Sequence, residues 1–189
     1  MERPMKSLLS AAMLALLALP ANAQDGDVDF SGAYLGLNVN RSSSDSFDSA
    51  SVVSATSNGL AISAGYLFDA GDFVVGGDLT YRRSNYSGTN VTTATALDGT
   101  ITGAAVGLRV GYPMGRIMPY FGARVGRGTD DFGTGSFDFN SREITVGAEF
   151  ALTESVFTNL SVERIRLDYR GTDLNLRSNV VALGLSYRF

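Results

Sequence analysis

Apolar and polar positions alternate with a spacing of two along most of this chain. Over 59–68, Leu60, Ile62, Ala64, Tyr66 and Phe68 share one face while Gly59, Ala61, Ser63, Gly65 and Leu67 share the other, which is the pleat of a strand and not the turn of a helix. Over 73–83 the apolar face carries Phe73, Val75, Leu79 and Tyr81, opposite Gly76, Asp78, Thr80 and Arg82. At the C-terminal end Val181, Leu183, Leu185, Tyr187 and Phe189 alternate with Ala182, Gly184, Ser186 and Arg188. The same test predicts eight strands, at 30–40, 58–68, 73–83, 100–112, 117–127, 142–152, 157–167 and 179–189. Each is about 10–13 residues long, which suits a tilted transmembrane strand of about 9–11 residues and exceeds the usual globular strand.

The connectors alternate in length. Segments 69–72, 113–116 and 153–156 are tight and rich in turn-forming residues, whereas 41–57, 84–99, 128–141 and 168–178 are longer and polar. Short turns on one rim and long loops on the other is the outer-membrane pattern, with the short turns periplasmic. The predicted fold is therefore all-β: an eight-stranded, antiparallel, up-and-down transmembrane β-barrel.

Ahead of the strands, Arg3 and Lys6 precede an apolar run from Leu8 to Leu19, followed by Pro20 and the small-residue triplet Ala21-Asn22-Ala23. The run is about twelve residues, short of the roughly 20 of a spanning helix, and it leads directly into an A-x-A site. This predicts a signal peptide over 1–23, cleaved between Ala23 and Gln24, and a barrel domain over 24–189. Removal takes Arg3, Lys6 and Glu2 away and leaves 13 basic and 18 acidic residues, a formal net charge of −5. Every remaining basic residue is arginine, and the acidic balance argues against nucleic acid as a partner. The chain has no cysteine, so its stability rests on hydrogen bonding and packing.

The charges separate a membrane barrel from a soluble ligand carrier, which would wrap an apolar cavity. Asp78, Arg82, Arg109, Arg124, Glu149, Glu163 and Arg188 all fall on the face opposite the large aliphatic and aromatic residues. With apolar residues outward, these charges line a lumen only wide enough for side chains to fill, and they must pair there. The small residues Gly103, Ala105, Gly107 and Gly111 share the Arg109 face and make room for it. A hydrogen-bonded ion-pair plug follows, with a wetter, separately hydrated lumen as the alternative.

The first strand, FSGAYLGLNVN, the fourth and fifth strands, VGLRVGYPMGRIMPYFGARVG, and the ending LGLSYRF resemble the opacity-protein-like outer-membrane β-barrel domain family. That family is related in architecture to the barrel of outer-membrane protein A, and the resemblance covers the chain from residue 24 onward. It implies that Leu183, Leu185, Tyr187 and Phe189 form the signal read by the outer-membrane barrel assembly machinery. It also implies an aromatic directly after the inward Glu163, where this chain has Arg164. Strict alternation aims Arg164 and Arg166 at lipid in the upper half of their strand, where forked guanidinium groups suit lipopolysaccharide phosphates. A β-bulge near Glu163 that turns one of them inward is the rival reading.

No catalytic residue is identified. The familiar outer-membrane enzymes, lipid A acylases and deacylases, phospholipase and aspartyl-type proteases, rely on a histidine, and this chain has none. Without His or Cys no zinc or copper site is expected, and no cofactor is implied. A calcium site from Asp130, Asp131 and Asp138 matches no known loop spacing, and Gly122, Gly126 and Gly128 lack the helix that a nucleotide loop needs. Loops 41–57, 84–99, 128–141 and 168–178 are polar, do not order themselves by hydrophobic burial, and are the candidate contact surface for a host or cell-surface ligand. The expected function is a structural and surface-interaction barrel embedded in outer-membrane lipid and lipopolysaccharide. The alternative is a narrow porin.

Overall fold

A computed structural model describes residues 28–48, 51–90, 95–133, 135–171 and 175–189. The predicted signal peptide and its cleavage residues Ala21, Ala23 and Gln24 lie outside the described residues. Eight strands follow in order: β1 (Gly32–Asp48), β2 (Ser51–Asp69), β3 (Val74–Asn90), β4 (Thr95–Gly111), β5 (Ile117–Phe132), β6 (Gly135–Ala151), β7 (Val156–Tyr169) and β8 (Asn175–Arg188). Each pairs antiparallel with its sequence neighbours, and β1 pairs with β8 from Tyr34↔Arg188 to Ser44↔Ser178, closing the barrel. Closure leaves no edge strand in the barrel wall, and only hairpin ends such as 45–48, 95–98 and 135–138 pair on one side alone.

Three tight turns join the strands at one end. Between β4 and β5, Met114 and Ile117 exchange both backbone hydrogen bonds, at 2.7 and 3.2 Å, and Gly115 takes φ +63°, which costs glycine little. Between β2 and β3 the Asp69 carboxylate accepts a hydrogen bond from the Gly71 N–H at 2.8 Å. The Thr153 hydroxyl accepts from the Val156 N–H at 2.9 Å between β6 and β7.

At the opposite end the strands run much further than the apolar alternation predicts. Most of 41–57, 84–99, 128–141 and 168–178 is not loop but paired strand, and the register continues to Asp48↔Ser51, Asn90↔Thr95, Phe132↔Gly135 and Asp168↔Asn175. The physical reason is that ladder hydrogen bonds belong to the backbone: once the barrel sets two strands in register, polar residues extend the ribbon without burying any apolar surface.

Along each strand the side chains alternate between lumen and exterior. The exterior carries a belt of exposed apolar residues, among them Leu37, Leu60, Ile62, Leu79, Val106, Leu108, Ile144, Leu183 and Leu185. Below it, near the turns, Tyr66–Phe68, Phe73–Tyr112 and Tyr187–Phe189 form ring pairs with centroids 4.5, 5.6 and 5.0 Å apart. Soluble proteins rarely expose so large a continuous apolar surface. No helix among the described residues is long and apolar enough to cross a membrane, which says nothing of a barrel.

Candidate functional site: the lumen and the outer belt

The lumen is filled in layers. At the turn end Phe30, Tyr34, Leu67, Val74, Met118, Ala151 and Phe157 pack as an apolar stopper, with Phe30 and Phe157 essentially inaccessible and their rings 5.4 Å apart. Alternation shows which side chains point inward but not which of them meet across strands, so this stopper was not legible in the sequence.

Above it lies a first ionic layer. Glu149 on β6 accepts from Arg109 on β4, Nη1 and Nη2 at 3.2 Å to Oε1 and Nη2 at 3.3 Å to Oε2. Arg188 on β8 adds a bond at 3.1 Å to Oε2. The Arg109 guanidinium is held between two rings, 4.8 Å from the Tyr34 centroid and 5.2 Å from that of Tyr120. Those rings lie over Gly65 and Gly147, where a Cβ would come within 2.7 Å and 2.8 Å of ring carbons. Arg188 likewise lies 4.1 Å over Phe157. Aromatic faces thus stabilise cations that a single carboxylate must share.

A second ionic layer sits closer to the long hairpins. Arg124 donates to Asp78 through Nε at 2.8 Å and Nη2 at 3.3 Å, and to the Thr145 hydroxyl at 3.1 Å. Arg124 also lies 3.7 Å from Glu163, and Arg82 bonds Glu163 directly. Arg82 is 3.9 Å from Glu143, whose other oxygen accepts from Ser141 at 3.3 Å. All seven charged residues named from the sequence therefore line the lumen. Glu143 is an eighth, and with it the two ionic layers hold four carboxylates and four guanidiniums among the described residues. The Ser141, Glu143, Thr145, Gly147, Glu149 alternation carried the signal for it.

Over the second layer opens a cavity of about 300 Å3. Phe139, Ile165, Leu167, Val180 and their neighbours Ile101, Tyr169 and Leu176 form one wall, and Asn40, Ser42, Ser57 and Ser84 line the other. At its mouth Asp130 accepts from Tyr86 at 3.0 Å and Tyr169 at 2.6 Å. Burial pushes the Asp130 carboxyl above the usual carboxylate range despite these two donors. Burial also pushes up both phenols, whose bonds to Asp130 act in the same direction. Asp131 is exposed and Asp138 points to the outer face, so the three aspartates considered for calcium do not converge.

A closed eight-stranded barrel with an apolar exterior and a charged interior is the arrangement of an outer-membrane protein. The sequence pattern described as "Outer membrane protein beta-barrel domain" matches residues 10–189. The chain belongs to this family.

It is an outer-membrane β-barrel protein, and in that setting the tight turns are periplasmic and the long hairpins extracellular. Its fold is similar to that of Neisserial surface protein A, at a TM-score of 0.65 and 20% identity over 84% of this chain and 98% of that one. OprG of Pseudomonas aeruginosa is similar at 0.54 and 16%, covering 87% and 98% of the two chains. Ail, the attachment invasion locus protein of Yersinia pestis, is similar at 0.52 and 17%, covering 85% and 100%. No curated protein matches the chain in sequence.

On the outer face the apolar belt gives way upward to arginine. Arg41, Arg83, Arg127, Arg142, Arg164, Arg166 and Arg177 are all exposed there, in the extracellular half of their strands. Arg142 pairs across strands with Arg166, and Arg166 with Arg177, so three cations stand in one row across β6, β7 and β8. Asp168 alone answers them among the described residues, 2.9 Å from Arg166 and 4.0 Å from Arg142. The β6–β7 and β7–β8 registers run without interruption past Glu163, so there is no bulge and both Arg164 and Arg166 face outward. Tyr187 and Phe189 stand at the periplasmic end of the same outer face, with Leu183 and Leu185 above them.

Proposed function

We propose that this protein is a sealed surface barrel with a structural and surface-interaction role, anchored in the outer leaflet and presenting four extended hairpins to the outside. The carrying observation is the lumen itself: an apolar stopper and two ionic layers, the lower one with Arg109, Glu149 and Arg188 each under a tenth exposed, lie across the path below the extracellular cavity. Such a column supports a closed lumen over a narrow porin. Single-channel recording of the refolded barrel in a planar bilayer tests this: silence from a demonstrably inserted barrel is expected, and steady openings would overturn it.

Residues 1–23 act in this reading as a cleavable export signal. The exposed alternation of Leu183, Leu185, Tyr187 and Phe189 is the element recognised by the barrel assembly machinery. The arginine row holds lipopolysaccharide, because like charges directly opposite on paired strands are destabilising unless an anion bridges them, and Asp168 is one carboxylate for three cations. Ail has been crystallised with the heparin analogue sucrose octasulfate, a precedent for extracellular ligand binding on a barrel of this shape. The hairpins spanning 41–57, 84–99, 128–141 and 168–178 are the surfaces we assign to a host or cell-surface ligand. A catalytic activity is not part of the proposal: the chain has neither histidine nor cysteine, and the carboxylates of the two ionic layers face arginines.

A further inference from the structure

We infer that the extracellular half of the lumen is a binding site for a small organic ammonium ion bearing an apolar body. The cavity there, about 300 Å3, reaches the lower end of the range of small-molecule sites and is amphipathic in cross-section. Phe139, Ile165, Leu167 and Val180 offer one flank of an apolar body nothing but carbon, whereas Asn40 and the serines opposite offer hydrogen bonds. Polar atoms on its boundary are left waiting. Glu143 Oε2, an acceptor, is buried without a hydrogen-bond partner in a residue more than nine-tenths buried, and two donors beside the cavity, Asn40 Nδ2 and Arg82 Nε, are also without one and are met by the apolar body rather than by its ammonium group. A buried polar group without a partner carries a desolvation penalty, which a ligand that supplies the partner removes.

Charge selects the head group. The ionic layer at the cavity floor holds Asp78, Glu143 and Glu163 against Arg82 and Arg124, one carboxylate in excess, while the surplus guanidinium of the layer beneath, Arg109 and Arg188 on Glu149, is held away from the cavity. Arg82 is committed to Glu163, which leaves Glu143 with only a 3.9 Å approach from that guanidinium. Asp130 at the mouth adds a carboxylate already satisfied by two phenols. Arg127 borders the cavity from the outer face of β5, where its side chain is exposed. An ammonium group beside Glu143 therefore balances the floor and supplies N–H donors to Oε2, while a carboxylate ligand would add to the excess.

The test uses the full barrel in phosphatidylcholine nanodiscs with three probes of matched body: phenethylammonium, phenethyl alcohol and 3-phenylpropanoate, titrated by calorimetry and by amide shifts of Ser141, Glu143 and Val180. Phenethylammonium is expected to bind at least about tenfold more tightly than either of the others. Glu143→Gln should bring it down to the level of the alcohol, and Leu167→Trp, which fills the apolar side, should weaken all binding. Equal affinity for the three probes, preference for the carboxylate, an ammonium affinity unchanged by Glu143→Gln, or the absence of shifts at cavity amides would overturn the assignment. Heat-modified gel mobility of both variants confirms that each is folded. Should Leu167→Trp fail to fold, Asn40→Leu on the opposite wall takes its place, with the same weakening expected.

Discussion

Arg109 meets Glu149 through three hydrogen bonds of 3.2–3.3 Å across the barrel, from strands whose contacting residues lie forty positions apart. The same carboxylate also serves Arg188 at 3.1 Å, so two buried cations depend on one anion. Glu149→Gln leaves both without a full counter-charge and should cost about 3–5 kcal/mol, the usual penalty for breaking a buried pair from one side. Urea unfolding from lipid vesicles measures it, and a loss within about 1 kcal/mol would mean that the aromatic faces alone hold the arginines.

Gly147 is small because Tyr120 lies over it. A Cβ there would come within 2.8 Å of the ring and 2.7 Å of the Leu160 carbonyl oxygen. Gly147→Ala should destabilise the barrel by about 1–3 kcal/mol, as overpacking does, and displace Tyr120 from Arg109. Tyrosine fluorescence and unfolding free energy should move together. An unchanged unfolding free energy would mean that the strand absorbs the added Cβ without strain, and that Tyr120 does not require glycine beneath it.

Asp130 predicts a pH dependence above the apolar belt. Its carboxyl is raised, chiefly by burial, so the folded state holds the proton more tightly than the unfolded chain. Its contribution to stability is then complete below the usual carboxylate range and is lost as pH rises through the raised folded value. The melting temperature of wild type relative to Asp130→Asn should therefore be higher at about pH 3 than at about pH 7. A difference that does not change with pH would remove Asp130 from the account.

Changing Arg142, Arg166 and Arg177 together to serine separates lipid from protein effects. In phosphatidylcholine the variant should be as stable as wild type or slightly more so, because two like-charge cross-strand pairs are relieved. In lipopolysaccharide-containing bilayers wild type should gain stability and the variant should not. Equal gains in both would exclude the row as an anion site.

Removing Phe189 should leave spontaneous folding in detergent nearly intact, since the residue is 78% exposed on the outer face and makes one ring pair with Tyr187. Insertion by the assembly machinery should fall sharply. If both processes fell together, Phe189 would be a packing residue of the aromatic girdle and not a recognition element.

Strand number, order and facing were legible in the residues because a pleat imposes a period of two, and because the tight turns at 69–72, 113–116 and 153–156 carry their own chemistry. Asp78, Arg82 and Glu163 could be sent to the lumen by that period alone. Their partners could not. That Glu149 answers Arg109 and Arg188, and Asp78 answers Arg124, follows from the shear at which β1 meets β8, a property of the closed barrel and of no local segment. Ribbon length past the membrane band was hidden for a related reason, since backbone pairing inherited from the barrel needs no apolar pattern to announce it. Phe139, Ile165, Leu167 and Val180 share the period of Glu143, Glu163 and Arg188 and so face inward with them; only closure, by placing three strands around one cavity, decides that they meet there as one apolar wall.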